Sequence, residues 1–425
     1  MKLLLTFILS TLFVFPSSNN LNTELETLNL QSENYILYSV DTDKVLASKN
    51  EDKPLTIASI QKVLTAITAL EMLEGQDLTQ TIVADAESIN GTSWQASIAD
   101  LKANESYRII DILYGILLPS GADATRVIST YLTQTPNGIV SNMNALANEI
   151  GMQDSHFVNA SGLDADGQYT TLNDTLKLLK YALENEKFLE LYSTVSYDFT
   201  VSDVRYEYEN QILQGAIDRK FNYFVGAKSG YTTKTGHALS SIAKNEDAAY
   251  IFISTGAPVD FENHTGLTDA MKVYNYLFET YHNVTIDQAL FSQEIDIQKR
   301  YKNYEYQLEE TIHTLIPKSY NQENITVKNK LENSTVLTAG ILKGDVLGQS
   351  EVYYEDQLIG VIPIVAQTDI DTDIEYIVLT ALKWIGIITA ILVILVVIIR
   401  IYNKRRYRKM SNFRNHRPRP SKRRY

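Results

Sequence analysis

The chain has 425 residues, of which 44% are hydrophobic and 21% charged; this balance excludes a disordered chain and allows two domains with sizeable cores. It contains no cysteine, which excludes disulfides and thiolate-bound zinc or iron–sulfur sites. The six histidines are scattered without the close pairs typical of metal ligands, so we expect neither a metal nor another cofactor.

The first residues are typical of a secretory signal peptide. One lysine is followed by an apolar run from Leu3 to Phe15, then by Pro16 and small polar residues. An N-terminal membrane anchor is the alternative, but a run of about 13 apolar residues is shorter than the ~20 that a spanning helix needs. We predict that residues 1–18 are removed as a signal peptide.

The next part of the chain is predicted to form one domain, residues 25–282, which begins with a polar linker and a β-hairpin. The hairpin strands are NYILYSV and KVLASKN, and a long apolar helix follows at SIQKVLTAITALEML. Further helices are predicted at IIDILYGILL, ADATRVISTYL, VSNMNALANEIG, TLNDTLKLLKYALENEKFLELYS and GLTDAMKVYNYLFETYH, and further strands at YFVGAKSGY, HALSSIAK and AAYIFISTG. This order predicts an α/β (α+β) domain in which a sheet built from both ends of the segment is flanked by helices.

Short alternating segments then predict a small all-β domain over residues 283–372. ITVKNKL is one such strand, and EDQ is the turn of a hairpin within GDVLGQSEVYYEDQLIGVIPIVAQ. Residues 377–402 are predicted to form a transmembrane helix, because the stretch from Trp384 to Ile399 carries no charge. A buried core helix is the alternative interpretation of this apolar stretch.

The last segment, residues 403–425, is a basic tail. From Arg400 onward the chain has twelve Lys or Arg and no acidic residue, so the positive-inside rule predicts a cytoplasmic tail and an extracellular body. The rest of the chain carries 26 basic and 51 acidic residues, which argues against nucleic-acid binding. We interpret the tail as contacting anionic lipid heads rather than as a nucleic-acid arm.

Ser59 and Lys62 are candidates for a nucleophile and its base. They lie three residues apart at the start of the long apolar helix, and this spacing puts both side chains on one face. A serine needs a neighbouring base, and burial at the positive end of a helix would lower the pKa of a lysine enough for that role. The pattern recurs at Ser241 and Lys244, but a strand there would point the two side chains to opposite faces.

Three further stretches carry candidate site residues. Ser120 lies in a turn after a buried helix, where it could enter a cleft, although capping of the next helix is the simpler role. The triplet lysine, hydroxyl residue, glycine occurs twice, at 228–230 on a predicted strand and at 234–236. The second triplet falls in the predicted hairpin connection, so we assign the first to the site.

The order of these motifs resembles that of the penicillin-binding enzymes and serine β-lactamases, and most closely the low-molecular-weight D-alanyl-D-alanine carboxypeptidases. The resemblance runs from Tyr35 to Tyr281 and includes the blocks ILYGILLPSGADA, MNALANEIGMQDSHFVNASGLD, YTTLND and GAKSGYTTKTGHAL. The β-domain and the membrane segment are similar to those of the same family. The implied fold is a penicillin-binding, serine β-lactamase-like domain with an antiparallel sheet, and the implied substrate is the pentapeptide stem of peptidoglycan.

The resemblance also implies roles for individual residues. Ser59 would attack the carbonyl between the last two D-alanines, with Lys62 as general base and Ser120 as proton relay. The substrate would be bound by Lys228, Ser229, Gly230 and Tyr231. Of these residues, Lys228 and Ser229 would hold the substrate carboxylate. The backbone N–H groups of Ser59 and Tyr231 would form the oxyanion hole. β-Lactams would acylate the same serine as covalent inhibitors.

The sequence departs from the family pattern at two positions. Ala122 stands where the second motif usually has asparagine, so an amide that would contact the lysine and the substrate is absent. A lost positioning hydrogen bond costs ~1–3 kcal/mol, which slows the reaction but leaves the nucleophile and base in place. Ser229 replaces a threonine and keeps the hydroxyl.

Three alternatives remain open. A serine β-lactamase would share the fold but needs an acid for deacylation, and we find no ExxxN pattern between Ser120 and Lys228. A catalytically weakened penicillin-binding scaffold is suggested by Ala122. A Ser-His-Asp hydrolase would need a GxSxG elbow, which the sequence lacks; we interpret His237 as a strand residue.

Overall fold

The computed structural model describes residues 18–260, 263–286, 294–295, 304–305, 312–319, 324–331, 341–355, 357–369, 371 and 374–414. The α-helices, in chain order, are α1 (Ser18–Thr27), α2 (Lys62–Met72), α3 (Ala86–Asn90), α4 (Ile109–Leu117), α5 (Ala122–Thr133), α6 (Ile139–Glu149), α7 (Leu172–Leu183), α8 (Glu186–Ser193), α9 (Gln211–Asp218), α10 (Thr265–Thr280) and α11 (Ile374–Arg414). A short 3-10 turn, Ala58–Gln61, leads directly into α2. The strands are β1 (Asn34–Ser39), β2 (Lys44–Lys49), β3 (Thr81–Val83), β4 (Ser106–Arg108), β5 (Ser196–Val201), β6 (Val204–Glu209), β7 (Phe224–Thr232), β8 (Gly236–Lys244), β9 (Ala249–Ala257), β10 (Tyr281–Ile286), β11 (Glu294–Ile295), β12 (Tyr304–Glu305), β13 (Ile312–Pro317), β14 (Ile325–Leu331), β15 (Val346–Tyr354) and β16 (Gln357–Val365).

The central feature is a five-stranded antiparallel sheet in the order β2-β1-β9-β8-β7. Strands from the beginning of the chain pair with strands that follow some 200 residues later, as in the pair Tyr35 and Ser254. The predicted sheet built from both ends of the domain is therefore confirmed. Among the residues that the structure describes, β7 lies at one edge of the sheet and pairs only with β8, which places Lys228 opposite Ser240.

Two hydrophobic cores lie on the two faces of this sheet. Successive residues of a strand point to opposite faces, and in β1 Ile36 belongs to one core while Leu37 belongs to the other. The first core is shared with helices α2 and α4 to α8, and the second with α1, α9 and α10. Helix α2 is buried from Lys62 to Leu70, as expected for a helix whose residues are mostly apolar on every side.

The sequence misses several elements that the structure contains. Leu21 and Leu25 of α1 pack into the second core, so part of the predicted polar linker is helical. The segment predicted as one helix at 171–193 is interrupted, because the side chain of Asn185 accepts a hydrogen bond from Phe188 N and begins α8. The hairpin of β5 and β6, the hairpin of β3 and β4, and helices α3 and α9 are also absent from the prediction.

The part of the chain after α10 contains short antiparallel strands. The predicted strand ITVKNKL is β14, and β14, β15 and β16 form a three-stranded sheet. Helix α11 is long and apolar enough over Ile377–Tyr407 to cross a membrane. The predicted signal peptide lies outside the described residues except for Ser18, and the predicted domain boundaries stay predictions.

Candidate active site

The side chains of Ser59 and Lys62 lie together. Ser59 is half-buried in the 3-10 turn, and Lys62 is the first residue of α2. Residues i and i+3 eclipse each other in such a turn, and Lys62 Nζ lies 3.0 Å from Ser59 Oγ. Lys62 Nζ also donates a hydrogen bond of 2.5 Å to the backbone oxygen of Ser161. The lysine amine is therefore held against the serine hydroxyl by a second, backbone partner.

The environment of Lys62 favours its neutral form. Lys62 is only 2% exposed, and this burial holds the pKa of its amine well below the ordinary value. The positive charge of Lys228 lowers the pKa further, whereas the Asp123 carboxylate acts in the opposite direction. A neutral amine at hydrogen-bond distance can take the proton of the Ser59 hydroxyl.

The backbone around Ser59 is tightly enclosed. Ala58 has φ of 47°, a left-handed conformation that costs an alanine about 1 kcal/mol. A Cβ on Gly230 would lie 2.7 Å from Ser59 N, and one on Gly162 would lie 2.1 Å from Ala58 O. The strand β7 and the segment at Gly162 can approach the nucleophile only because both positions lack a side chain.

The turn that contains Ser120 precedes α5. Ser120 has φ of 66°, and its Oγ is shielded from solvent without a hydrogen-bond partner among the described residues. Ala122 is buried and its backbone N–H donates to Ser97 O at 2.9 Å. The Asp123 carboxylate accepts from the N–H groups of Ala99 and Leu101 at 2.7 and 3.0 Å. Ser120 is thus not used as a helix cap, and its hydroxyl is available for another partner.

Lys228 lies on β7 and is 3% exposed. Its Nζ donates to the backbone oxygen of Ser229 at 3.0 Å, and burial lowers the pKa of its amine to about 7. Ser229 is half-buried, while Tyr231 is 48% exposed. The first triplet therefore combines a buried amine with Gly230, the residue that touches the backbone of Ser59.

The second triplet has a different environment. Lys234 is exposed in the connection between β7 and β8, and Gly236 has φ of 67°. The hydroxyl of Thr235 lies 2.7 Å from that of Thr56 and accepts from that of Thr232 at 3.0 Å. The Thr235 hydroxyl of this triplet stabilises the hairpin connection, whereas the Lys228 amine of the first triplet is buried and its charge acts on Lys62.

Two side chains support the β7–β8 pair at Lys228. Tyr192 OH donates to Ser240 O on β8 at 2.8 Å, and Asn210 Nδ2 donates to Ala227 O on β7 at 2.9 Å. A Cβ on Gly226 would lie 2.3 Å from the ring of Tyr192, so this ring packs directly on the strand. An edge strand has partners on one side only, and these contacts fix the strand that carries Lys228.

A model of the D-alanyl-D-alanine carboxypeptidase family matches residues 21–259, which is more than half of the chain. The chain belongs to this family of serine peptidases. A second model, the C-terminal domain of penicillin-binding protein 5, matches residues 278–372. The resemblance seen in the motifs is confirmed, and the chain is a carboxypeptidase.

Curated relatives cover most of the chain at low identity. The D-alanyl-D-alanine carboxypeptidase DacF of Bacillus subtilis (strain 168) is 24% identical over 80% of this chain and 86% of its own length. The D-alanyl-D-alanine carboxypeptidase DacA of Escherichia coli (strain K12) is 24% identical over 91% of this chain and 97% of its own length. Both relatives therefore match this chain over most of their own length, including parts of both regions that the two family models match.

Solved structures share the fold. The D-alanyl-D-alanine carboxypeptidase DacD of Francisella tularensis matches with a TM-score of 0.68 at 21% identity, over 81% of this chain and 94% of its own. Penicillin-binding protein 5 of Haemophilus influenzae matches with a TM-score of 0.62 at 20% identity, over 80% and 98%. The predicted penicillin-binding fold, with an antiparallel sheet and a C-terminal β-region, is confirmed.

Sequence reasoning missed one partner of Lys62 in this carboxypeptidase. The segment Asn159-Ala160-Ser161-Gly162 carries the accepting carbonyl, and the Asn159 side chain accepts from Ser161 N and Gly162 N at 3.1 and 2.8 Å. Helix α2 fixes this segment through Thr65, whose hydroxyl donates to Ala160 O at 2.7 Å. The available signal was the Asn-x-Ser-Gly turn pattern within a family-like block.

We predict that Gly162→Ala slows acylation of Ser59 at least tenfold. The new methyl group would collide with Ala58 O and displace the nucleophile, and φ of 81° adds backbone strain. Gly167→Ala is the matched control, because Gly167 has φ of 83° but its Cβ would meet only Val158, at 4.0 Å. The rate of covalent labelling with a fluorescent penicillin measures both variants, and equal rates would refute the role of the close approach.

Proposed function

We propose that this carboxypeptidase removes the terminal D-alanine of peptidoglycan pentapeptide stems through an acyl-enzyme on Ser59. The observation that carries the proposal is the position of a buried lysine amine 3.0 Å from the hydroxyl of Ser59. A desolvated amine in this position is a base that can activate a serine without histidine. The family match and the edge strand beside Ser59 support the same reaction.

In the first step, neutral Lys62 takes the proton of Ser59, and Oγ attacks the carbonyl carbon between the two D-alanines. A tetrahedral intermediate forms and the bond to the nitrogen of the last D-alanine breaks. Ser120, whose buried hydroxyl has no other partner among the described residues, passes the proton from Lys62 to the leaving amine. Free D-alanine leaves, and the shortened stem remains as an ester of Ser59.

Negative charge on the intermediate requires hydrogen-bond donors that are already in place. The backbone N–H groups of Ser59 and Tyr231 provide them in this proposal. The proximity of β7 to the nucleophile supports this arrangement, because a Cβ on Gly230 would lie 2.7 Å from Ser59 N.

In the second step, water attacks the carbonyl carbon of the ester while Lys62 takes a proton from the water. The bond between that carbon and Ser59 Oγ then breaks, Lys62 returns the proton to Oγ, and the shortened stem is released. Lys228 and Ser229 bind the substrate carboxylate in the first step, and a buried ammonium is an effective partner for it. A β-lactam mimics the scissile amide and acylates the same serine, which makes it a covalent inhibitor.

The proposed site of action is the outer face of a cell membrane. The apolar part of helix α11 can span the membrane, and the basic residues from Arg400 onward favour a cytoplasmic C-terminus. The signal peptide over residues 1–18, the catalytic domain over 25–282 and the β-domain over 283–372 complete this arrangement. The β-domain then acts as a spacer between the wall substrate and the membrane.

Release of D-alanine from a pentapeptide, compared with turnover of nitrocefin, tests the proposed activity. The parent protein should release D-alanine and hydrolyse nitrocefin slowly. Fast nitrocefin hydrolysis without D-alanine release would instead identify a β-lactamase. If the protein neither releases D-alanine nor is labelled by penicillin, it would be identified as a scaffold weakened by Ala122.

We predict a bell-shaped pH profile for kcat/KM. Lys62 acts in its neutral form, so activity rises as the pH passes upward through its lowered pKa. Lys228 binds carboxylate in its charged form, and because its pKa is lowered to about 7, activity falls above about that pH. In Lys228→Arg the cation persists at high pH, so the descending limb should move upward by at least one pH unit. A descending limb that does not move in this variant would exclude Lys228 as its origin.

A further inference from the structure

The loop 91–98, GTSWQASI, presents an exposed tryptophan. Trp94 is 90% exposed, more than any other large hydrophobic side chain among the described residues, the apolar helix α11 included. Ile98 in the same loop is 50% exposed. We call residues 91–98 the Trp94 loop.

The ends of the Trp94 loop are fixed to helix α5. Before the loop, Arg126 donates to the backbone oxygens of Ser88 and Glu87 at 2.8 and 3.2 Å. At its other end, Ser97 O accepts from Ala122 N at 2.9 Å. The Asp123 carboxylate holds the next residues through Ala99 N. A loop anchored at both ends in this way presents its tip in a defined position.

The anchor lies beside the candidate active site. Ala122 and Asp123 lie two and three residues after Ser120. Trp94 is three residues from Ser97, which limits the separation of these two residues to about 10 Å of extended chain. A turn closed by Ala96 N donating to Ser93 O at 3.1 Å places Trp94 at the tip. The indole is thus tied to the same short turn as the proposed proton relay.

The chemistry of the loop fits a sugar. The eight residues carry no charge, and the indole is flanked by Ser93 and Gln95, which can hydrogen-bond hydroxyl and acetamido groups. The face of a sugar ring presents C–H groups that stack on an aromatic ring, and a solvent-exposed indole combines such a face with an N–H donor. A loop that binds an anionic membrane would instead carry Lys or Arg.

We propose that the Trp94 loop is a subsite for the glycan strand to which the stem peptide is attached. Trp94 stacks on an amino-sugar ring of the substrate while the stem reaches Ser59. This subsite rests on the proposed function, because it assigns the same substrate a second point of contact. With this subsite, the carboxypeptidase prefers stem peptides that are attached to a glycan strand over free stem peptides.

The test compares two substrates with the same pentapeptide, one free and one attached to a disaccharide of amino sugars. With the full chain in an uncharged detergent, Trp94→Ala should lower kcat/KM about tenfold for the disaccharide substrate and less than twofold for the free peptide. Trp384→Phe in α11 is the matched control and should change neither value. An equal effect of Trp94→Ala on both substrates would overturn the subsite.

A second measurement uses the fact that Trp94 and Trp384 are the two tryptophans of the chain. In Trp384→Phe the fluorescence comes from Trp94 alone, and glycan strands without stems should shift it to shorter wavelength. No shift at saturating glycan would overturn the proposal. A shift on reconstitution into anionic phospholipid vesicles, before glycan is added, would also overturn it by assigning Trp94 to the membrane. A glycan-induced shift in a protein that releases no D-alanine from either substrate would reject the proposed reaction and keep the subsite.

Discussion

Replacing Lys62 with methionine should slow acylation of Ser59 by about 1,000-fold, within the range of ~100- to 10,000-fold expected for loss of a general base. Methionine has nearly the same length and fills the same buried space, but it cannot accept the serine proton. The rate of covalent labelling by a fluorescent penicillin and the rate of D-alanine release should fall together, because both reactions begin with the same attack.

The control for this variant is Lys244→Met in the second SxxK pattern. Ser241 is buried on β8 with its hydroxyl 2.9 Å from Tyr274 OH, while Lys244 is exposed at the end of the strand, so its loss should leave acylation near the parent rate. Thermal unfolding of Lys62→Met checks that it folds. A folded Lys62→Met protein that acylates within tenfold of the parent would show that another group is the base.

Replacing Lys228 with methionine should lower kcat/KM for a pentapeptide by about 100-fold, because a buried charge-assisted contact with the carboxylate is worth roughly 1.5–3 kcal/mol. Lys234→Met should leave kcat/KM near the parent value, since its side chain is exposed in the hairpin connection. Steady-state release of D-alanine measures both variants.

A change of substrate tests whether Lys228 acts by binding the substrate carboxylate. A substrate amidated at its C-terminus lacks the carboxylate, so Lys228→Met should affect its kcat/KM less than that of the free acid. A loss of activity in Lys234→Met with normal activity in Lys228→Met would transfer the site to the second triplet.

The sequence predicts the elements that hold the proposed nucleophile and base. The hairpin of β1 and β2, the helix that begins at Lys62, and the strands β7, β8 and β9 have strong local patterns, and the structure contains them. The spacing of Ser59 and Lys62 also predicts their contact correctly. The detail differs, because Ser59 lies in a 3-10 turn before the α-helix rather than within it.

Backbone contacts are what the sequence does not reveal. The Asn-x-Ser-Gly pattern indicates a turn at Ser161 but not the partner of its backbone oxygen. The contact with Lys62 depends on a fold that brings residues 99 positions apart together. The close approach at Gly230 is equally invisible, since a glycine on a strand has several explanations.

The missed hairpin of β5 and β6 has a different cause. Its buried rings, Phe199, Tyr206 and Tyr208, alternate with polar residues over only six positions in each strand. A short alternating pattern among exposed charges is weak evidence until tertiary packing shows which face is buried. The exposure of Trp94 is also not predictable from the sequence, because a lone tryptophan usually indicates a core residue.

Identifying the acylated residue tests whether Ser59 is the nucleophile. The full chain, in detergent, is treated with penicillin, digested and analysed by mass spectrometry. We expect one penicilloyl group on the peptide that contains Ser59, and none in Ser59→Ala under the same conditions. A penicilloyl group on Ser120, Ser229 or another residue of the parent, or label that survives in Ser59→Ala, would contradict the assignment of Ser59 as the nucleophile.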